Sequence, residues 1–95
     1  MNGLLIYEYK EIERNQSFID RLIQAAKTHG HSLTVIDDNQ TEFPDCDFIF
    51  FRARNPELSK KLEQRGVPMF NRSEVNVIAN DKWKAIQLVQ MLGIA

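Results

Sequence analysis

Two short, largely apolar runs constrain the fold of this chain more than any other feature. They extend from Gly3 to Tyr7 and from Asp47 to Phe51, and neither alternates apolar with polar residues. A strand that is buried on both faces has this composition, and such strands are typical of a parallel sheet covered by helices. The two runs therefore predict inner strands of an α/β domain.

The segments around these runs complete an alternation of strands and helices. Apolar residues recur at helical spacing between Phe18 and Ala26, and Asn15 or Ser17 can cap the helix that this spacing predicts. The sequence also predicts two further strands, Ser32–Asp37 and Val67–Phe70, and three further helices that begin at Asn55-Pro56, Ser73 and Asn80. Right-handed crossovers predict a small Rossmann-like α/β domain with a parallel four-stranded sheet in the order 2-1-3-4, flanked by helices.

Length, charge and cysteine content narrow the functional classes. The 95 residues predict a single domain, 1–95. The 12 basic and 13 acidic residues give a net charge of -1, so we expect neither a nucleic-acid partner nor attraction to an anionic membrane surface. No apolar stretch approaches the roughly 20 residues of a membrane span. The only cysteine, Cys46, cannot form an internal disulfide, and a reducing cytoplasm is the expected compartment.

Polar residues follow the two inner strands at the place where such sheets bind ligands. In the predicted order the sheet reverses between the first and third strands, and ligands bind beyond the carboxyl ends of strands at such a point. Glu8 follows the first strand, and Arg52 and Arg54 follow the third. If the strand continues through both arginines, their side chains point to the same side and suit a carboxylate or phosphate. The alternative is a solvated strand end whose arginines pair with Glu8 or Asp47.

Other catalytic and cofactor motifs are absent from the sequence. The segment "YEYKEIER" after the first strand contains no glycine, which disfavours a self-sufficient NAD or ATP site. His29 and His31 flank a predicted helix end without a cluster of cysteines or carboxylates, so no metal site is expected there. Cys46 has no adjacent base, and no serine lies in a nucleophile-elbow motif.

Three segments carry a resemblance to a known family: "CDFIFFRARN" from Cys46, "LEQRGVPMFNRSE" from Leu62 and "NDKWKAIQLVQMLGIA" from Asn80. The chain resembles the N-terminal (preATP-grasp) domain of the ATP-grasp carboxylate–amine ligases. Within them it looks most like the branch of the ribosomal-protein glutamate ligase and the lysine-biosynthesis ligases. The most specific match is the Asp81-Lys82 pair, followed by a predicted helix that ends at Gly93-Ile94.

The resemblance implies a substrate-side role in a larger ligase. It implies that Lys82 contacts the phosphates of ATP, and that the acceptor or amino-acid substrate lies near Glu8, Arg52, Arg54 and Asn71. ATP and Mg²⁺ would be held by the ATP-grasp domain that follows in such ligases, and the chain stops at Ala95 before it. We therefore expect no catalysis and no independent cofactor binding by this chain, whose main partner would be the missing ATP-grasp domain.

A second hypothesis belongs to another functional class. The chain is then a free-standing α/β interaction module that forms a homodimer, or binds a partner, through the face that would otherwise meet the ATP-grasp domain. Trp83, Val89 and Met91 are the apolar residues expected on that face. A continuation of the gene beyond Ala95 discriminates between the two hypotheses. A receiver-like domain is disfavoured, because Glu8 and Arg52 stand where it needs an acidic pair and an aspartate.

Overall fold

A computed structural model describes residues 1–75 as an α/β domain with one sheet. Its elements are β1 Asn2–Tyr7, α1 Tyr9–Arg14, α2 Gln16–Thr28, β2 Ser32–Asp37, β3 Phe48–Phe51, α3 Pro56–Glu63 and β4 Met69–Phe70. A helical turn follows at residues 72–75. The predicted helix that contains the Asp81-Lys82 pair lies outside the described residues.

The sheet has the predicted topology. All of its pairings are parallel, and the strand order is β2-β1-β3-β4. β1 is central, with Leu5 opposite Val35 of β2 and Phe50 of β3. The prediction of a four-stranded parallel sheet flanked by helices is therefore confirmed.

The inner strands are apolar on both faces because each face packs against a different helix. Leu5 and Tyr7 of β1 share one core cluster with Leu22 of α2. Leu4 and Ile6, which point to the opposite face, belong to a second cluster. That second cluster contains the buried residues of α3, Leu58 and Leu62. Continuous apolar runs were the correct signal for strands covered on both sides.

The first core cluster is rich in aromatic rings. The Phe48 and Phe50 ring centroids are 5.0 Å apart, and the Phe50 ring meets the Phe70 ring edge-on at 5.5 Å. Gly3 makes room for this packing, because a Cβ at that position would collide with the Phe48 ring. The glycine that begins the first apolar run therefore has a packing role on the aromatic face.

The helical region after β1 differs from the prediction. The structure places two helices there, α1 and α2, where the apolar spacing predicts one. Asn15 separates them, but its side chain donates a hydrogen bond back to the Glu11 carbonyl at 2.7 Å and does not cap α2. At α3 the predicted cap is confirmed, because Asn55 Oδ1 accepts a hydrogen bond from the Leu58 N–H at 3.1 Å. Among the described residues, no helix combines the length and the apolar character needed to cross a membrane.

Polar groups at the amino edge of the sheet are tied together by hydrogen bonds. The amino group of Met1 lies 3.1 Å from Nδ1 of the buried His31. The Asn2 N–H donates to Asp47 Oδ2 at 2.7 Å, and the Ser32 hydroxyl donates to Asn2 Oδ1 at 2.6 Å. These bonds connect the start of β1 with the starts of β2 and β3.

Candidate functional site

The carboxyl ends of three neighbouring strands bring the predicted site residues to one edge of the sheet. β1 ends at Tyr7, β3 at Phe51 and β4 at Phe70. The residues that follow these ends include Glu8, Arg52, Arg54, Asn71 and Arg72. All the predicted site residues except Lys82 therefore share the edge, and Arg72 joins them. Lys82 lies outside the described residues.

Arg52 is a buried residue of this edge. Only 8% of its surface is exposed, and its backbone N–H donates to the Ile6 carbonyl at 2.9 Å. Its guanidinium carbon lies 4.6 Å from the centre of the Phe18 ring and 5.3 Å from that of Tyr7. Cations at such distances from aromatic rings are stabilised by the ring quadrupole. Burial lowers the pKa of Arg52, yet a guanidinium remains charged at physiological pH.

Tyr7 is buried next to this guanidinium, with 2% of its surface exposed. Burial raises the pKa of the Tyr7 phenol, and the positive charges of Arg52 and Arg72 oppose that rise. The phenol therefore stays neutral at physiological pH. The Arg72 charge also lowers the pKa of Arg52, so the two arginines interact electrostatically across the edge.

Arg54 differs from Arg52 in its exposure and in the side of the sheet on which it lies. β3 ends at Phe51, so the strand alternation that would align the two arginine side chains does not reach them. Arg54 is exposed, and it lines a cleft with Phe51 and Ala53 on the α3 side of the sheet. Arg52 instead packs against Tyr7, which belongs to the core cluster on the α2 side. The expectation of a joint Arg52 and Arg54 site depends on a strand continuation that is absent.

Glu8 holds the backbone of this loop in place. Its Oε1 accepts a hydrogen bond from the Arg54 N–H at 3.0 Å, which links the end of β1 to the segment after β3. Asp47, the other carboxylate considered as an arginine partner, precedes β3 and lies at the opposite edge, where it binds the Asn2 N–H. The interpretation in which Asp47 neutralises these arginines is therefore wrong.

Asn71 caps the helical turn that follows β4. Its Oδ1 accepts a hydrogen bond from the Glu74 N–H at 2.9 Å, and Glu74 Oε1 accepts one from the Asn71 N–H at 3.0 Å. This reciprocal pair is a capping box. The predicted cap, Ser73, instead lies within the turn and is exposed. Between residues 1 and 75 no hydrogen bond uses the side-chain NH₂ of Asn71, which leaves that donor available at the edge.

The cleft beside Arg54 has a volume of about 430 Å³. Phe51, Ala53 and Pro56 form its apolar part. Its polar lining comes from the end of β3, the start of α3 and the end of β4, and consists of Arg54, Asn55, Ser59, Asn71 and Arg72. None of the described residues that line it is acidic.

The two exposed arginines of this cleft lack acidic partners in the part of the chain that the structure describes. There the single ion pair joins Arg14 to Glu11, at 3.7 Å. No carboxylate among residues 1–75 lies within salt-bridge distance of the Arg54 or Arg72 guanidinium. Two arginines that line one cleft without a described counter-charge favour an oxyanion ligand, because arginine matches the geometry of carboxylate and phosphate.

The described residues contain neither a metal-ligand cluster nor a glycine-rich turn after β1. Between residues 1 and 75 no cluster of three or more His, Cys, Asp and Glu side chains could hold a metal ion. The turn after β1 has no glycine, and the carboxylate of Glu8 follows that strand directly. A phosphate chain at this turn would meet a negative charge in place of the backbone N–H groups that a glycine-rich loop presents.

Arg72 is the site residue that the sequence analysis missed. The signal was present, since Arg72 stands directly beside Asn71 after the predicted fourth strand. Ligands bind beyond the carboxyl ends of parallel strands, and this holds for the fourth strand as well as for the first and third. Arg72 follows the carboxyl end of the fourth strand and is identified in this way.

Comparison with known proteins finds no matching family model, no matching curated protein and no matching solved structure. The resemblance to the ATP-grasp ligases thus stays a hypothesis from the sequence, and the α/β fold is established by the structure.

Proposed function

We propose that this chain is the N-terminal, substrate-side domain of an ATP-dependent carboxylate–amine ligase of the glutamate-ligase type. In this proposal the domain forms one wall of the active-site cleft and has no ligase activity on its own. The parallel sheet in the order 2-1-3-4 supports it, because this topology directs ligands to the edge that carries Arg54 and Arg72.

One observation carries the proposal. The cleft at the carboxyl edge exposes Arg54 and Arg72, and no carboxylate of residues 1–75 neutralises either guanidinium. A ligase that joins a carboxylate to an amine must hold at least one anionic substrate, and paired guanidinium groups recognise carboxylates. Glu8 has a positioning role in this proposal, since its carboxylate holds the Arg54 backbone.

ATP and Mg²⁺ belong to the domain that would follow in the gene. Phosphorylation of a carboxylate needs metal ions and converging cations around the transferred phosphoryl group. The proposal assigns those groups to the ATP-grasp domain, and assigns to Lys82 the contact that this chain would make with the phosphates. The ligase would act in the cytoplasm, where ATP is abundant.

The competing interaction-module hypothesis gains no support from the described surface. In residues 1–75 the only large hydrophobic side chain classed as exposed is that of Tyr9, at 67%. A large contiguous apolar patch would mark a docking face, and a single aromatic ring does not form one. The residues expected on such a face, Trp83, Val89 and Met91, lie outside the described residues.

The test begins with the source gene, read in frame beyond the codon for Ala95. If the reading frame continues, the full product is purified and assayed for ADP release in the presence of ATP, Mg²⁺, an amine and a panel of carboxylates. Carboxylate-dependent ADP release is expected. A stop codon directly after Ala95, or a full product without carboxylate-dependent ATP turnover, would overturn the proposal.

The matched variants in the full product are Arg54→Gln and Arg21→Gln. Arg54 lines the cleft, whereas Arg21 is an exposed arginine in the middle of α2. The proposal expects Arg54→Gln to raise the KM for the carboxylate about tenfold, the usual effect of removing one charged hydrogen-bond donor. Arg21→Gln should leave it unchanged.

A further inference from the structure

We infer that the cleft between Arg54 and Arg72 binds a small organic dianion with a short apolar body. The inference rests on the proposed function only in calling this ligand a substrate. It goes beyond that function by assigning the binding to Arg72 together with Arg54, and by specifying the charge and size of the ligand.

The charge of the ligand follows from the charge of the lining. Two arginines, Arg54 and Arg72, line a cleft whose described lining contains no acidic residue. Because like charges repel, the cleft is most stable when a ligand supplies two negative charges. A monoanion would neutralise only one of the two arginines, and a neutral molecule would neutralise neither.

The size of the ligand follows from the volume of the cleft. About 430 Å³ lies at the low end of the roughly 300 to 1,000 Å³ of small-molecule pockets. This volume can accommodate a small metabolite. Phe51, Ala53 and Pro56 provide an apolar surface for a short carbon chain between the charged groups.

Two neutral donors can complete the recognition. The Ser59 hydroxyl lies in the lining on α3, and the side-chain NH₂ of Asn71 is unused by any hydrogen bond among residues 1–75. Asn71 is held by its capping box with Glu74, so its NH₂ has a fixed position. A donor held in place before binding costs little conformational entropy when the ligand arrives.

Arg52 does not belong to this binding site. It is buried against the rings of Phe18 and Tyr7, and it does not line the cleft. Its positive charge contributes to the electrostatic potential at this edge of the sheet. The two arginines of the "RAR" segment thus have different roles: Arg52 packs against aromatic rings, and Arg54 binds the ligand.

The experiment uses the 95-residue chain and NMR titration of its backbone amides and arginine side chains at about physiological ionic strength. The probes are glutarate as a dicarboxylate, glycerol phosphate as a phosphate monoester, butyrate as a monoanion and glutaramide as a neutral analogue. We expect at least one dianion to shift the signals of Arg54, Ser59 and Arg72, with butyrate much weaker and glutaramide silent. Which dianion binds more tightly distinguishes a carboxylate site from a phosphate site.

Three variants test the assignment: Arg54→Gln, Arg72→Gln and, as a matched control, Arg21→Gln. Each of the first two should weaken dianion binding about tenfold, because a charged hydrogen-bond donor is lost. Arg21→Gln should bind as the parent chain does. All three arginines are exposed, so the fold should persist, and circular dichroism verifies this. Binding that persists in Arg54→Gln/Arg72→Gln, equal shifts with glutaramide, or no shift with either dianion would overturn the inference.

These outcomes are separable from those of the proposed function. If the chain binds a dianion through both arginines but the full gene product lacks ligase activity, the binding site is supported and the ligase proposal is overturned. If the full product is an active ligase and its KM for the carboxylate is unchanged in Arg54→Gln/Arg72→Gln, the ligase proposal is supported and the binding site is overturned.

Discussion

The two edges of the sheet use polar groups in opposite ways. At the amino edge, Met1 contacts His31, Asn2 binds Asp47, and Ser32 binds Asn2, so donors and acceptors of the chain satisfy one another. At the carboxyl edge, Arg54 and Arg72 line a cleft without an acidic partner in residues 1–75. Both edges belong to the same small domain.

The difference separates residues that hold the fold from residues that are available to a ligand. A paired polar group contributes to stability, and replacing it removes a hydrogen bond. An exposed cation without a partner contributes little to stability, and adjacent cations repel. Stability measurements should therefore respond more to loss of a paired polar group than to loss of an exposed cleft arginine, whereas binding measurements should do the reverse.

The largest expected effect is that of Gly3→Ala near the amino edge. The added methyl group would collide with the Phe48 ring, and overpacking of this kind costs about 2 to 3 kcal/mol of unfolding free energy. Chemical denaturation measures the loss. Because the cause is a collision, Gly3→Ala should cost much less in a Phe48→Leu background. Additive effects of the two substitutions would show that the ring is not the cause.

Arg52 sharpens the comparison within the carboxyl edge itself. Arg52→Gln removes a buried cation from two aromatic rings and should lower the unfolding free energy by about 2 kcal/mol. Arg54→Gln, at an exposed position two residues away, should change it by less than about 0.5 kcal/mol. Urea denaturation of both variants provides the measurement. Equal losses would mean that Arg54 is also a packing residue and would contradict the assignment of the cleft.

Asn71 contributes both to the stability of the fold and to the proposed binding site. Asn71→Ala removes the side-chain acceptor of the capping box and should cost about 1 kcal/mol, whereas Asn71→Ser keeps an acceptor and should retain most of the stability. Thermal unfolding measures both. Neither variant keeps the NH₂ donor, so both should weaken dianion binding similarly. Full binding by Asn71→Ser would restrict Asn71 to capping.

The smallest expected effect is a pH dependence at the amino edge. The pKa of His31 lies below its usual value near 6.5. Burial is the largest cause, and the positive charges of the Met1 amine and His29 add to it. The unfolded chain therefore takes up this proton at a higher pH than the folded chain does. The His31 contribution to stability should be complete above about pH 6.5 and should decline as the pH falls toward the folded-state pKa.

Urea denaturation at a series of pH values between about 8 and 5 tests this expectation. The difference between the parent chain and His31→Gln isolates the histidine, and His29→Gln is the control at an exposed position. A parent chain whose stability relative to His31→Gln rises on acidification would give the opposite sign and contradict the role of burial at His31.

The order and direction of the strands could be predicted from the sequence, but the details at the edges of the sheet could not. Continuous apolar runs identify β1 and β3 because both of their faces are covered, and the handedness of crossovers then determines the order. α1 was missed because Ile12 is the single aliphatic residue of its "YKEIER" segment, so no apolar periodicity marks it. Elements without a buried face leave little trace in a hydropathy pattern.

The site was predicted only in part, for a similar reason. Sequence indicated that Arg52 and Arg54 lie at the carboxyl edge, but their separation depends on whether β3 ends at Phe51 or continues. A run such as "FIFFRAR" does not define that end. Arg72 joins the cleft through the pairing of β4 with β3, which is a contact between distant parts of the chain. Local patterns do not contain such contacts.

The contact between Glu8 and Arg54 bears on how this edge can evolve. Glu8 accepts its hydrogen bond from the backbone N–H of residue 54 and not from the guanidinium. Every amino acid except proline supplies that N–H, so the link between β1 and the loop after β3 does not depend on which side chain stands at position 54. A mutation at position 54 can thus change the side chain in the cleft and the ligand preference, while the hydrogen bond to Glu8 still holds the loop in place.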